Sequence, residues 1–379
     1  MSQSEKISGK EFVGINLSLY KSFESFRDMD IWSKPTKQVC DFLAASEAND
    51  RRIFAENLIK HYWDDYGKQE AYAEFFKKMI AIEQGTKKFK KSHRDHITHS
   101  AYVFLLGIYL YSFDEDIQEA IEQKCVKLPN ILDKFLFMWS IISTFHDIGY
   151  PFDIFSKEMK QYLDMINESG KEVIDYEKTS FKLEFNNIDS LLYGKNSFDL
   201  MNELQKSNDS NHNFLNLNDY FNYKLEKGLM DHGVLSALIL LKITDVLYED
   251  KKEQWPREDF ENFFPEIALA IALHNINWNE DVVEGMEIPK DNLPEITLTN
   301  FPFCYLLILA DTLQEWDRPS LAKPSIPSTG VSIDYNGNEE KFEVKFALSD
   351  KKVEDINKEL NDKISESDDK ELPSIKAAL

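Results

Sequence analysis

The chain has 379 residues and a formal charge of −23, from 44 Lys and Arg against 67 Asp and Glu. That length allows one large domain with appendages or two modest ones, and the 42% of aliphatic and aromatic residues is ample for a packed core. The acidity argues against duplex nucleic acid as a partner, because phosphate backbones are gripped through Lys and Arg that displace counterions. If the chain handles phosphates, metal cations in a cleft are the expected source of positive charge.

Cys40, Cys125 and Cys304 are widely separated and form no CxxC pair, which fits a reducing compartment without disulfides or a zinc ribbon. The opening MSQSEKISGKEF has no basic segment followed by an apolar run, so a signal peptide is not expected and a cytoplasmic location is. No apolar stretch reaches the roughly 18 residues that span a bilayer. The longest candidate, Phe301 to Ala310, ends on Asp311, so no membrane partner is expected.

Residues 1–92 are predicted to be a helical N-terminal region, since RRIFAENLIKHYWDDY and QEAYAEFFKKMIAIEQG repeat apolar residues every three or four positions. From residue 93 the pattern becomes more apolar, with helices expected over 99–113, 131–147, 232–248, 264–275 and 301–316. An insertion at 152–228 interrupts them. It is rich in Asn, Ser and Asp, which compete with the helix backbone, so short helices and loops are expected there. Its length and its place after a candidate metal motif suit a lid. Residues 276–300 form a shorter polar connection containing Pro289 and Pro294.

After Arg318 the character changes. Three prolines mark 319–328 as a linker, and VSIDYNGNEEKFEVKFAL alternates about Asn336-Gly337, a hairpin signal. VEDINKELNDKIS suits a final helix, so 329–379 is expected to be a small α+β appendage. The predicted fold is therefore mainly α: a helical core over 93–318 with N-terminal helices and that appendage.

Ligand-type side chains recur on the apolar helices. His99 starts a helix whose inward positions continue as Val103, Leu106 and Leu110, with His96 one turn earlier. His146 and Asp147 end an apolar helix that Gly149 and Pro151 stop. His232 lies on the stripe Leu235, Ser236, Ile239 and Ile243, with Gly233, Ser236 and Ala237 small enough for close helix approach. His274 falls in line with Ile267, Ala270 and Ile271, and Asp311 with Leu307 and Ile308.

Each alone reads as a polar residue near a helix end that finds a hydrogen-bond partner. Repetition changes that reading, since five helices each carry such a residue, or an adjacent pair, on the inward face. A buried Asp without a partner costs several kcal/mol, and one shared metal centre satisfies the whole set. Neutral imidazole and carboxylate suit Mn, Fe, Zn, Ni or Mg, so one or two divalent ions per chain are expected without fixing their identity. His61 reads as a surface or helix-packing residue and His212 as solvated, while His93 is close enough to the first cluster to reach a pocket.

The order His99, His146-Asp147, His232, His274, Asp311 resembles the HD superfamily of metal-dependent phosphohydrolases, through HSAYV, HDIGYP and ADTLQEW over roughly residues 93–318. The two intervening histidines resemble its subset with binuclear centres. The resemblance implies that His99, His146, Asp147 and Asp311 hold one ion. Asp147 would bridge to a second, held also by His232 and His274. It further implies a metal-activated water attacking a phosphodiester or phosphoanhydride of a nucleotide-like small molecule.

By the same resemblance His96 is a candidate proton donor to the leaving oxygen, with a role orienting a ligand as its alternative. Where many members carry Lys after HDIG, this chain has Tyr150, so a phosphate contact from that position is not implied. Arg94, Gln314 and Arg318 are candidate substrate contacts, as is Lys323, with surface ion pairs as the ordinary alternative. Two other functions stay open: a di-iron oxygenase on the same ligand set, and a non-catalytic nucleotide sensor. The helical surfaces also allow a homo-oligomer.

Overall fold

The computed structural model describes residues 15–25, 36–64, 78, 95–125, 131–169, 187–209, 213–250, 257–278, 285–289, 292–314, 331–336, 341–346, 350–364 and 374–377. In chain order the elements are α1 (Ile15–Ser25), α2 (Thr36–Ala44), α3 (Ala48–Asp64), α4 (His96–Phe113), α5 (Glu115–Cys125), α6 (Ile131–Phe145), α7 (Tyr150–Ser169) and α8 (Ser197–Asn208). They continue as α9 (Leu217–Glu226), α10 (His232–Asp250), α11 (Arg257–Leu273), α12 (Pro302–Leu313), β1 (Val331–Asn336), β2 (Lys341–Phe346), α13 (Asp350–Lys363) and β3 (Ser374–Ala377). The protein is mainly α-helical, and none of its described helices is long and apolar enough to cross a membrane.

The contacts divide the chain into two compact units, Met1–Thr144 with Thr297–Leu379, and Phe145–Ile296. In the first, α4 is the central helix. It is buried from Ile97 to Tyr111, and α1, α3, α5 and α12 pack on it. A helix that is apolar all round must be covered on every side to be stable in water. Asp95 starts it, because its carboxylate accepts a hydrogen bond from Thr98 N at 3.1 Å and pairs with Arg52 at 3.3 Å. Trp139 of α6 is fully buried and donates its indole N–H to Phe104 O at 2.9 Å. It fits because Gly107 leaves room: a Cβ there would overlap the indole ring.

The hairpin forms with Val331 opposite Phe346 and Asn336 opposite Lys341. A third strand, β3, pairs in parallel with β2, giving the order β1-β2-β3. The sheet belongs to the first unit, where Tyr109 of α4 donates to Ile333 O at 3.1 Å and α13 packs against both α12 and β3.

In the second unit α10 and α11 form the main helix pair, with α7 on α10 and α8 on α11. α11 begins at Arg257, well before the expected 264, because Pro265 lies inside the helix instead of starting it. A loop is clamped onto this unit by charge. Asp245 of α10 is fully buried and meets Arg257 at 2.6 Å. Its other oxygen accepts from Leu192 N, while the guanidinium lies 3.7 Å over the Tyr193 ring and 4.2 Å over that of Phe260. Burial pushes the Tyr193 phenol up, against the opposing pull of Arg257.

Candidate metal centre

His146 and Asp147 sit in the turn between α6 and α7, His232 is the first residue of α10, and His274 directly follows α11. All four are buried. Asp147 presents one oxygen to each neighbour: Oδ1 is 3.3 Å from His232 Nε2 and Oδ2 is 3.5 Å from His146 Nε2. The His274 ring stands 5.4 Å from those of His146 and His232, edge-on to both. Ligand atoms of Asp147, His232 and His274 all lie within 4.8 Å of one another, and this buried group can hold a metal ion.

The spacing suits coordination. Metal–ligand bonds of about 2.1 Å put neighbouring ligand atoms about 3.0 Å apart on an octahedral edge and about 3.4 Å on a tetrahedral one. The 3.3 and 3.5 Å separations at Asp147 fall at the tetrahedral end. In the first unit, His99 of α4 and Asp311 of α12 are also buried, and His99 Nε2 is 3.0 Å from Asp311 Oδ1, near the octahedral value.

Hydrogen bonds set the tautomers. His274 Nδ1 lies 2.6 Å from Ile271 O, an acceptor only, so the proton is on Nδ1 and Nε2 carries the lone pair. His99 Nδ1 faces Gln314 Oε1 in the same manner, leaving Nε2 toward Asp311. Gln314, expected as a substrate contact, is thus buried and orients His99.

Burial alone would lower the His232 imidazole, but Asp147, Asp153 and Asp231 outweigh it and push it up to about 9. The negative potential that holds a proton there is also what attracts a cation. Asp153 is held low despite its burial, through His232 and Lys157.

Small residues let these elements approach closely. Gly149 donates its N–H to Ser236 Oγ at 2.7 Å, and a Cβ on it would come within 2.5 Å of His232 O. On α10, a Cβ at Gly233 would meet Ile271 O at 2.8 Å. Gly149→Ala is therefore expected to push the turn from α10, at about 1–3 kcal/mol of stability. Urea unfolding reads the stability loss and a Mn²⁺ titration the weakened ion binding; an unchanged midpoint in both would show that the turn has slack.

The insertion packs against these residues. Most of α7 belongs to it and lies on α10, and Tyr220 donates to Asp231 at 2.9 Å, while just before the insertion the Tyr150 ring is 5.3 Å from that of His232 and edge-on to it. Asp231 also caps α10 by accepting from Val234 N at 2.9 Å. Sequence reasoning passed over Asp153 and Asp231; an Asp directly before a helix is a capping signal that could have found the second. His96 opens α4, half-buried and three residues before His99. His61 is half-buried on α3, while His93, Arg94, His212, Arg318 and Lys323 lie outside the described residues.

Comparison with known proteins returns no match: no protein-family model, no curated protein and no solved structure matches the chain.

Proposed function

We propose that the chain is an HD-type metal-dependent phosphohydrolase acting on a nucleotide-like small molecule. The observation that carries this reading is Asp147, buried between two imidazoles with one oxygen toward each Nε2. That is the placement a carboxylate needs to serve two ligand sets. The ligand order in the sequence assigns His99 and Asp311 to the same chemistry, and the His99→Ala exchange tests that assignment.

A bound divalent ion supplies Lewis acidity toward a phosphoryl oxygen and a water that deprotonates at neutral pH. The chain's residues do the rest. His274 and His99 are locked with Nε2 as the donor, Asp147 and Asp311 supply the negative charge, and burial keeps bulk water from the ligands. His96 is the candidate proton donor to the leaving oxygen. The acidic chain favours a small ligand drawn by cations over a long duplex.

The test is metal content on the purified protein, with Mn²⁺-supplemented hydrolysis of cyclic dinucleotides, cyclic mononucleotides and deoxynucleoside triphosphates. Bound ions and phosphate-ester cleavage, both lost in His146→Ala, support the reading. Two irons with dioxygen uptake and no cleavage would replace it by an oxygenase. Bound ions with neither cleavage nor oxygen uptake would leave the sensor. Metal also shifts stability by mass action: at one hundred times Kd, Mn²⁺ adds about 2.7 kcal/mol, roughly 5–10 °C in melting midpoint for a unit of this size. A midpoint that ignores Mn²⁺ and EDTA would count against the centre.

A further inference from the structure

Asp153 is only 2% exposed and lies on the first turn of α7, six residues beyond Asp147. A buried carboxylate costs several kcal/mol unless it is satisfied. Its Oδ2 has Lys157 Nζ at 2.7 Å, whereas its buried Oδ1 makes no hydrogen bond. His232 Nδ1 is buried too and makes no hydrogen bond, standing 3.7 Å from Asp153 Oδ2, just beyond bonding range. The Nε2 of that ring faces Asp147 at 3.3 Å. The imidazole therefore stands between two carboxylates, one at each nitrogen.

Ion binding at Nε2 gives the unbonded ring nitrogen a use for this carboxylate. When His232 Nε2 gives its lone pair to a cation, the ring proton must sit on Nδ1, which then needs an acceptor. A small rotation of either side chain brings Asp153 into range. We propose that Asp153, anchored by Lys157, is a positioning residue that accepts the Nδ1–H of His232 and fixes this ring for its ion. The inference rests on the metal-centre reading above and adds to it a residue that is not itself a ligand. No motif in the sequence marked it.

The test uses the full chain and Co²⁺, whose visible absorption reports its ligands. The relevant binding phase is the one that His232→Ala abolishes. In Asp153→Ala its affinity is expected to fall 10- to 100-fold, with wild-type stoichiometry and band intensities once saturated. Asp153→Asn keeps an oxygen that can accept from Nδ1 and should recover most of that loss.

Wild-type affinity in Asp153→Ala would overturn the inference. So would changed Co²⁺ bands at saturation, which would make Asp153 a ligand. Equal loss in Asp153→Asn and Asp153→Ala, tracking a lowered metal-free melting midpoint, would reduce it to a packing role. A wild-type chain that binds no Co²⁺ at all would remove the metal centre itself, whereas wild-type binding untouched by Asp153→Ala removes this inference alone.

Discussion

Asp147→Ala is expected to abolish ion binding at the Asp147–His232–His274 group and to lower hydrolysis on the order of 10³-fold or more. The size follows from position. Asp147 is the carboxylate of that group, and its two oxygens face two different imidazoles. Without it two imidazoles remain in that group, and imidazoles alone give a hard cation no negative charge to offset its lost hydration. The several kcal/mol that an ion supplies to a transition state disappears with it, at about 1.4 kcal/mol per factor of ten. Metal analysis, Mn²⁺ titration and phosphate-ester assays read the result, with far-UV circular dichroism to show that the helices persist. Wild-type metal content in the variant would show that the carboxylate is not a ligand.

Arg257→Ala should produce the largest loss of stability, about 3–5 kcal/mol, by leaving Asp245 buried and without its cation. The guanidinium does more than balance charge, since its face covers Tyr193 and Phe260 and so holds the loop around residues 189–196 to α10 and α11. The double exchange Asp245→Asn with Arg257→Met is expected to cost less than Arg257→Ala alone, because removing both charges spares the desolvation of one. Denaturant unfolding of the variants measures this. A loss below about 1 kcal/mol for Arg257→Ala would mean that water reaches Asp245 in its place.

Helix identity was legible for α4, α6, α10 and α12 because they are long and strongly apolar, whereas α5 and the twenty-residue α7, where short helices and loops were expected, are polar and carry no apolar run to mark them. α4 and α12 carry almost unbroken apolar sequence, and their ends fell within three residues of expectation at each terminus. α11 was less legible. Pro265 is a start signal in isolation, yet the first turn beyond Arg257 is held by contacts of Phe260 and Phe264 with Tyr248. The antiparallel pairing of β1 and β2 was legible from the alternation about Asn336-Gly337 in the sequence. The parallel pairing of β3 was not, because a four-residue strand has no pattern of its own and is chosen by the edge it meets.

At the centre the sequence supplied residue types and order. Asp147, His232 and His274 could be singled out because each sits at the end of an apolar helix, where an unpaired polar group is costly. Their surroundings were less legible: Gln314 was picked as a substrate contact but faces His99, and Asp153 differs from a surface residue only in what it meets after folding. Sequence by itself determined that the chain is helical and that it carries a recurring set of buried imidazole and carboxylate donors, because periodicity and the cost of burial are local properties. Only the tertiary structure decided which nitrogen of His99 and of His274 faces an acceptor, which oxygen of Asp147 faces which histidine, and that Asp153 stands behind His232. Those depend on contacts between residues far apart in the chain, which no local pattern encodes.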